Sequence, residues 1–188
     1  MPVPVSPIVG PGRTEDDEVR QQIEKIQALQ TAGAEVFIAR GDVTSRDDMK
    51  RIINETHEKF GKINGVIHAA GVPPGGMIQL KTPSAAMSVL GPKIKGTFVL
   101  DELLRDEPLD FMVLCSSLTA IMGAFGLVDH CAANAFLDVF AEAQASRGNP
   151  YILTLNWDAW LEVGQAAKAS LSKRLQEILH SGPPADNT

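Results

Sequence analysis

Four short and almost wholly apolar runs alternate with helical segments along this chain. The runs are AEVFIAR (34–40), INGVIHAA (63–70), DFMVLCSS (110–117) and YILTLNW (151–157). Strands that are apolar on both sides, separated by helices, are typical of a parallel sheet whose two faces are covered by helices. The sequence therefore predicts an α/β fold.

The segments between these runs have the spacing of amphipathic helices. One helix is predicted from about 16 to 31, and the next is capped by Thr44 or Ser45. A long helix is predicted over about 83–105, and another over about 128–146. The helix between AEVFIAR and INGVIHAA would connect two parallel strands by a right-handed crossover.

The two ends differ in composition from the middle. Residues 1–14 hold four prolines and a GPG, which predicts a flexible arm. Residues 15–165 carry the alternating strand and helix signals and are expected to form one domain. Residues 166–188 predict a polar helix over about 168–180, followed by a disordered tail.

Composition excludes several partner classes. A net charge of −6 gives no basic surface for nucleic acid or anionic lipid. No apolar stretch approaches the ~18 residues that a membrane helix needs. No two histidines stand at metal-ligand spacing, so no metal is expected. Cys115 and Cys131 are expected to be free thiols, which suits a reducing cytoplasm.

Polar side chains of three kinds follow the third apolar run. Ser117 closes that run, His130 comes thirteen residues later, and Asn134 comes four residues after His130. Four-residue spacing places His130 and Asn134 on one face of the predicted helix. A serine that ends a strand can simply satisfy backbone groups, but this combination favours a site in which all three side chains point into one cleft.

Five strings in this order and spacing resemble one known family. They are GDVT (41–44), HAAG (68–71), PKIKGT (92–97), DHCAANAFLDVFA (129–141) and LNWDAW (155–160). Over about 16–165 the chain resembles a ketoreductase domain of modular polyketide synthases, in the short-chain dehydrogenase/reductase superfamily. The resemblance implies a Rossmann-like parallel sheet that here lacks its first strand–helix unit.

The resemblance also implies a cofactor site for NADPH. Asp42 and Val43 would lie at its adenine. Ala69, Ala70 and Gly71 would form a ledge of small residues beside the ribose and nicotinamide. No GxGxxG occurs in the chain, and a glycine-rich turn is what usually holds a dinucleotide pyrophosphate. NADPH binding is therefore expected to be weak.

The catalytic group implied by the resemblance is Ser117, Lys93, Asn134 and His130. Ser117 would donate to the substrate carbonyl, because hydride addition builds negative charge on that oxygen. Lys93 and Asn134 would form the lysine/asparagine pair; Lys95 is the alternative lysine. His130 stands where the family has the tyrosine that protonates the product, and loss of a placed general acid typically costs about 10²–10⁴ in rate.

The implied substrate is a β-ketoacyl chain on an acyl carrier protein, with other polyketide synthase domains as partners. Because the glycine-rich turn and the tyrosine of the family are both absent, we expect this chain to be inactive or severely impaired as a reductase. An inactive docking or scaffold domain is the alternative, and an epimerase-like role is a third.

The missing first unit raises a structural problem, because an apolar strand with both edges unpaired is costly and tends to associate. AEVFIAR is expected to pair directly with INGVIHAA. Otherwise residues 3–9, a second copy of the chain or another chain would fill the gap. Self-association through the unpaired strand edge is thus one expected outcome.

Overall fold

The computed structural model describes residues 15–72, 76–147 and 151–158. These residues belong to two compact units, one of which contains residues 15–35 and the other Val36–Asp158. The predicted arm at 1–14, the helix predicted at 168–180 and the tail lie outside the described residues. The domain limits proposed from the sequence therefore stay predictions.

The described part of the smaller unit is one helix, α1 (Glu15–Thr31), as predicted. It ends in two backbone hydrogen bonds, from Gly33 N to Gln30 O at 2.9 Å and from Ala34 N to Leu29 O at 3.0 Å. Gly33 has φ of 92°, the left-handed conformation that this kind of helix end requires. Val19, Ile23 and Leu29, from the predicted apolar stripe, are about half exposed.

The larger unit is built on three parallel strands, β1 (Gly65–His68), β2 (Phe111–Ser117) and β3 (Ile152–Trp157). Their order in the sheet is β1-β2-β3, and the register aligns Val66, Met112 and Ile152. The second, third and fourth apolar runs therefore form strands as predicted. Because the strands are parallel, their carboxyl ends meet at one edge of the sheet.

Four helices connect and cover these strands. They are α2 (Arg46–Phe60), α3 (Pro83–Leu103), α4 (Thr119–Met122) and α5 (Val128–Ser146), with a single 3₁₀ turn at Ile78–Leu80. Ser45 caps α2 by accepting from Asp48 N at 3.3 Å. The parallel sheet with its crossover helices confirms the Rossmann-like α/β fold.

The first apolar run, residues 34–40, is not a strand, and its predicted pairing with INGVIHAA is wrong. Among the described residues β1 pairs with β2 alone. The run instead lies against α2: Arg51 donates from Nη2 to Arg40 O at 2.7 Å, and Lys59 Nζ lies 5.5 Å from the centre of the Phe37 ring. Ile38 is 66% exposed. The alternative that residues 3–9 fill the gap falls outside the described residues.

The core lies between α3, α5 and one face of the sheet. That face carries the buried side chains of Val66, Met112, Leu114 and Ile152, and Leu137 of α5 packs against it. The other face alternates with it and is partly exposed within the described part of the chain, at Ile67, Phe111, Leu153, Leu155 and Trp157. The buried face continues into polar residues near the carboxyl ends of the strands.

Candidate active site

Ser117 is the last residue of β2 and is half-buried. Its Oγ accepts from Thr119 N at 3.2 Å and from Thr119 Oγ1 at 3.0 Å. A hydroxyl carries one hydrogen and two lone pairs, so these two bonds leave the hydrogen for another acceptor. The turn after β2 thus orients Ser117 as a donor.

Lys93, on α3, is buried against the carboxyl end of β2. It is 8% exposed, and its Nζ donates to Cys115 O at 2.7 Å. Burial lowers the pKa of Lys93 to about 8, against the opposing influences of Cys115 and Asp138. Lys95, the alternative lysine, is exposed. The structure therefore places Lys93 and not Lys95 beside the strand end.

Asn134, on α5, is completely buried and ties its own helix to the sheet. Its Nδ2 donates to His130 O at 2.7 Å, one turn back along α5. Its backbone carbonyl accepts from Ser116 Oγ of β2 at 3.2 Å. Asparagine is a poor residue for a helix interior, but here it links α5 to the residue next to Ser117.

His130 lies in the first turn of α5 and is half-buried. Its pKa is lowered, first by burial and then by the positive charge of Lys93, while Asp129 opposes the shift. The imidazole is therefore neutral at neutral pH. A neutral imidazole has one N–H to donate and holds it far more tightly than an imidazolium.

A buried ion pair holds the start of α5 in place. Lys81 Nζ contacts Asp129 Oδ2, with side chains 9% and 2% exposed. The other oxygen, Asp129 Oδ1, accepts from His130 N at 3.0 Å. Through Asp129, Lys81 in the segment before α3 is thus linked to the backbone of His130. Sequence reasoning missed this pair, although Asp129 stands directly beside His130.

These contacts bring Lys93, His130 and Asn134 together at the carboxyl end of β2. Lys93 meets β2 at Cys115, Asn134 meets it at Ser116, and the charge of Lys93 acts on His130. Ser117 is the next residue of the same strand end. The arrangement combines a hydroxyl donor, a buried amine and an imidazole at the edge where parallel sheets commonly bind ligands.

Ala69, Ala70 and Gly71 follow β1 at the same edge. Ala69 is exposed, Gly71 is half-buried and Ala70 is buried. The preceding residue, His68, lies with its Nε2 3.1 Å from Pro92 O, which fixes this end of β1 beside Lys93. These small side chains leave room for a flat ring beside the Lys93 amine.

Asp42 and Val43 lie in the turn before α2. Asp42 Oδ1 accepts from Thr44 N at 2.8 Å, and Asp42 N donates to Asp48 Oδ2 at 3.0 Å. Val43 is buried, and its methyl groups face Gly96 of α3. Both residues thus shape the turn before α2, and their role at an adenine stays a prediction.

No group of His, Cys, Asp and Glu side chains among the described residues is arranged to hold a metal ion. No helix in the described ranges is long and apolar enough to span a bilayer.

Comparison with known proteins points to one family. The family model described as the KR domain matches residues 5–162. Polyketide synthase PksN of Bacillus subtilis (strain 168) is 32% identical over 160 residues, which cover 82% of this chain and 3% of that protein.

Solved structures agree with this family match. A ketoreductase domain from the bacillaene assembly line is 31% identical, with a TM-score of 0.73, over 92% of this chain and 41% of that one. The ketoreductase from the first module of phoslactomycin biosynthesis in Streptomyces sp. HK803 is 29% identical, with a TM-score of 0.71, over 84% and 35%. The chain thus spans less than half of either structure.

Proposed function

Since this chain belongs to the ketoreductase-domain family of polyketide synthases, we propose that its site acts on a β-ketoacyl thioester carried by an acyl carrier protein. The reaction would be NADPH-dependent reduction to the β-hydroxyacyl form, at a much lower rate than an intact site achieves. Other domains of a polyketide synthase would be its neighbours. This proposal is supported chiefly by the burial of Lys93 at the end of β2, between Cys115 O and His130.

Ser117 is the proposed donor to the ketone oxygen. Its Oγ accepts two bonds from Thr119, so the free hydroxyl hydrogen can point away from that turn. Negative charge grows on the ketone oxygen as hydride adds to the carbon, and a donor already in place stabilises that charge without reorganisation. Ser117 would therefore contribute to catalysis in this chain as well as to substrate binding.

His130 is the proposed weak point of the site. The alkoxide needs a proton, but burial and the charge of Lys93 keep the imidazole neutral. Asn134 would still hold the backbone of His130 through its bond to His130 O, while the charge of Lys93 would keep the imidazole neutral. We expect a rate about 10²–10⁴ below that of a site with a working acid.

The residues present fit one end of NADPH better than the other. Ala69, Ala70 and Gly71 would hold the nicotinamide and its ribose, because these small residues directly follow His68, which bonds to Pro92 O next to Lys93. Asp42 and Val43 would border the adenine. When bound, NADPH supplies the hydride. Binding is expected to be weak, since the sequence has no glycine-rich turn for the pyrophosphate.

A second function is favoured by the same imidazole. A ketoreductase domain with no competent acid can serve as an inactive scaffold that docks a carrier protein or shapes a larger synthase. The two functions differ in whether the ledge at Ala69 still holds the cofactor.

Titration with NADPH separates the two functions. We expect enhanced NADPH fluorescence and a raised melting temperature, because a ligand that binds the folded state alone stabilises it. Ala69→Leu would fill the ledge and abolish both signals. Ala145→Leu, at an exposed position at the far end of α5 from His130, is the matched control and should change neither.

The opposite result would support the scaffold. The reductase proposal would be overturned if NADPH changed neither its fluorescence nor the melting temperature of the wild-type chain, while an acyl carrier protein bound measurably. An identical NADPH response in wild type and Ala69→Leu would instead contradict the assignment of the ledge.

A further inference from the structure

Three buried side-chain atoms near Lys93 make no hydrogen bond to another atom of the described structure. They are His68 Nδ1, Asn134 Oδ1 and Asp138 Oδ1. Leaving a buried polar atom unpaired is costly, and such atoms in folded proteins are usually bonded to protein or to ordered water. Three of them around one lysine therefore call for a common partner.

All three atoms are acceptors. His68 Nε2 faces the carbonyl of Pro92 at 3.1 Å, so Nε2 carries the hydrogen and Nδ1 presents a lone pair. Asn134 uses its Nδ2 on His130 O, which leaves Oδ1 as the unpaired atom. Asp138 accepts from Asn156 Nδ2 at 3.0 Å through its other oxygen.

Lys93 is the buried donor that interacts with this cluster. An ammonium has three hydrogens, and Lys93 Nζ donates one of them to Cys115 O at 2.7 Å. His68 on β1 and Asp138 on α5 are each coupled electrostatically to Lys93. Asn134 stands one turn before Asp138 on α5. The remaining groups coupled to Lys93 are Cys115 of β2 and His130.

The missing partner must both accept from the ammonium and donate to the acceptors. No side chain does this, because His68, Asn134 and Asp138 all present lone pairs. Water meets both requirements, and a buried water typically makes about three hydrogen bonds to groups that are otherwise unsatisfied. Because each water has only two hydrogens to donate, two waters that accept from Lys93 Nζ would serve the three acceptors. A metal cation is a poorer match, since a lysine ammonium already supplies the positive charge of this cluster.

We propose that internal water binds between Lys93 Nζ and the acceptors of His68, Asn134 and Asp138, and that His68 and Asp138 are positioning residues for Lys93. The proposal deepens the function proposed above, because Lys93 belongs to that site. It assigns a role to two side chains that touch neither substrate nor cofactor. The water would solvate the ammonium in place of bulk solvent.

A crystal structure of the protein at high resolution tests the water directly. We expect solvent density within about 3.2 Å of both His68 Nδ1 and Lys93 Nζ. Direct pairing of Lys93 with Asp138 or His68, or an unhydrated cluster, would overturn the proposal. This readout needs neither NADPH nor a ketone, so it can fail while the proposed function stands.

Two substitutions of His68 test the positioning role. His68→Gln can keep the donor to Pro92 O but loses the acceptor at the Nδ1 position, whereas His68→Asn keeps that acceptor and loses the donor. The pKa of Lys93, followed by NMR of its ε-CH₂ group, should fall by about one unit in His68→Gln, because the water that solvates the ammonium loses one of its acceptors.

His68→Asn should leave the pKa of Lys93 near its wild-type value of about 8. A merely structural histidine would give equal shifts in both variants, or none, and either result would contradict the positioning role. If one variant fails to fold, the solvent density in the wild-type crystal still decides the proposal.

Discussion

Replacing Gly96 by alanine should destabilise the larger unit through a single contact. A Cβ built at Gly96 would lie 2.9 Å from Val43 Cγ1 and 3.1 Å from Val43 Cγ2. Val43 is buried and β-branched, so it cannot easily rotate away. Overpacking of this kind costs about 1–3 kcal/mol, while alanine in place of glycine within α3 returns about 1 kcal/mol. The net loss is about 0–2 kcal/mol.

A double-mutant cycle isolates the steric part of this effect. In Val43→Ala the two methyl groups are gone, and the new Cβ of Gly96→Ala would lie 3.5 Å from the remaining Val43 Cβ, an ordinary contact. The two substitutions should therefore be coupled by about 1–3 kcal/mol, with the double variant more stable than additivity predicts. Urea unfolding followed by circular dichroism measures all four proteins.

Additive effects would refute this reasoning. If the double variant lost the sum of the two single losses within about 0.5 kcal/mol, Val43 would not lie against α3 at Gly96. Val43 is also the residue predicted to border the adenine, so its displacement in Gly96→Ala should further weaken the NADPH response.

Three further predictions follow from the buried charges. Lys81→Met leaves Asp129 buried without its cation and should cost about 3–5 kcal/mol in urea unfolding; a loss below about 1 kcal/mol would contradict the burial of the pair. Burial holds the pKa of His68 at about 4, against 6.5 unfolded, so the unfolded chain binds the extra proton and stability should fall by about 3 kcal/mol from pH 6.5 to 4. His68→Gln should remove this loss of stability between pH 6.5 and 4. An unchanged loss in the variant would show that His68 is not its source. Lys93 titrates at about 8 folded and 10.5 unfolded, so its contribution to stability should rise between those pH values, and Lys93→Met should remove the rise.

The sequence predicts most of the secondary structure because the signals there are local. Helix α5 runs over Val128–Ser146, which agrees with the predicted limits of about 128–146, and β2 ends at Ser117 as predicted. In both places the apolar pattern and the residues that end it lie within one segment. The choice of Lys93 over Lys95 also agrees with burial, although it depended on the family pattern and not on periodicity.

What the sequence did not predict depends on contacts between distant segments. Residues 34–40 are apolar enough for a strand, but a strand needs a neighbour, and none is paired with them among the described residues. Lys81 and Asp129 are 48 residues apart, so no local pattern joins them. The acceptor role of His68 depends on Pro92 O, which only the packing of α3 against β1 provides.

The rate of NADPH oxidation with a model bicyclic ketone tests most directly whether His130 can replace the missing acid. We expect a rate at least about 100-fold below that of an intact ketoreductase domain under the same conditions, with the residual rate abolished in Ser117→Ala. A rate within about tenfold of the intact domain would contradict it, because the neutral imidazole would then be protonating the alkoxide efficiently.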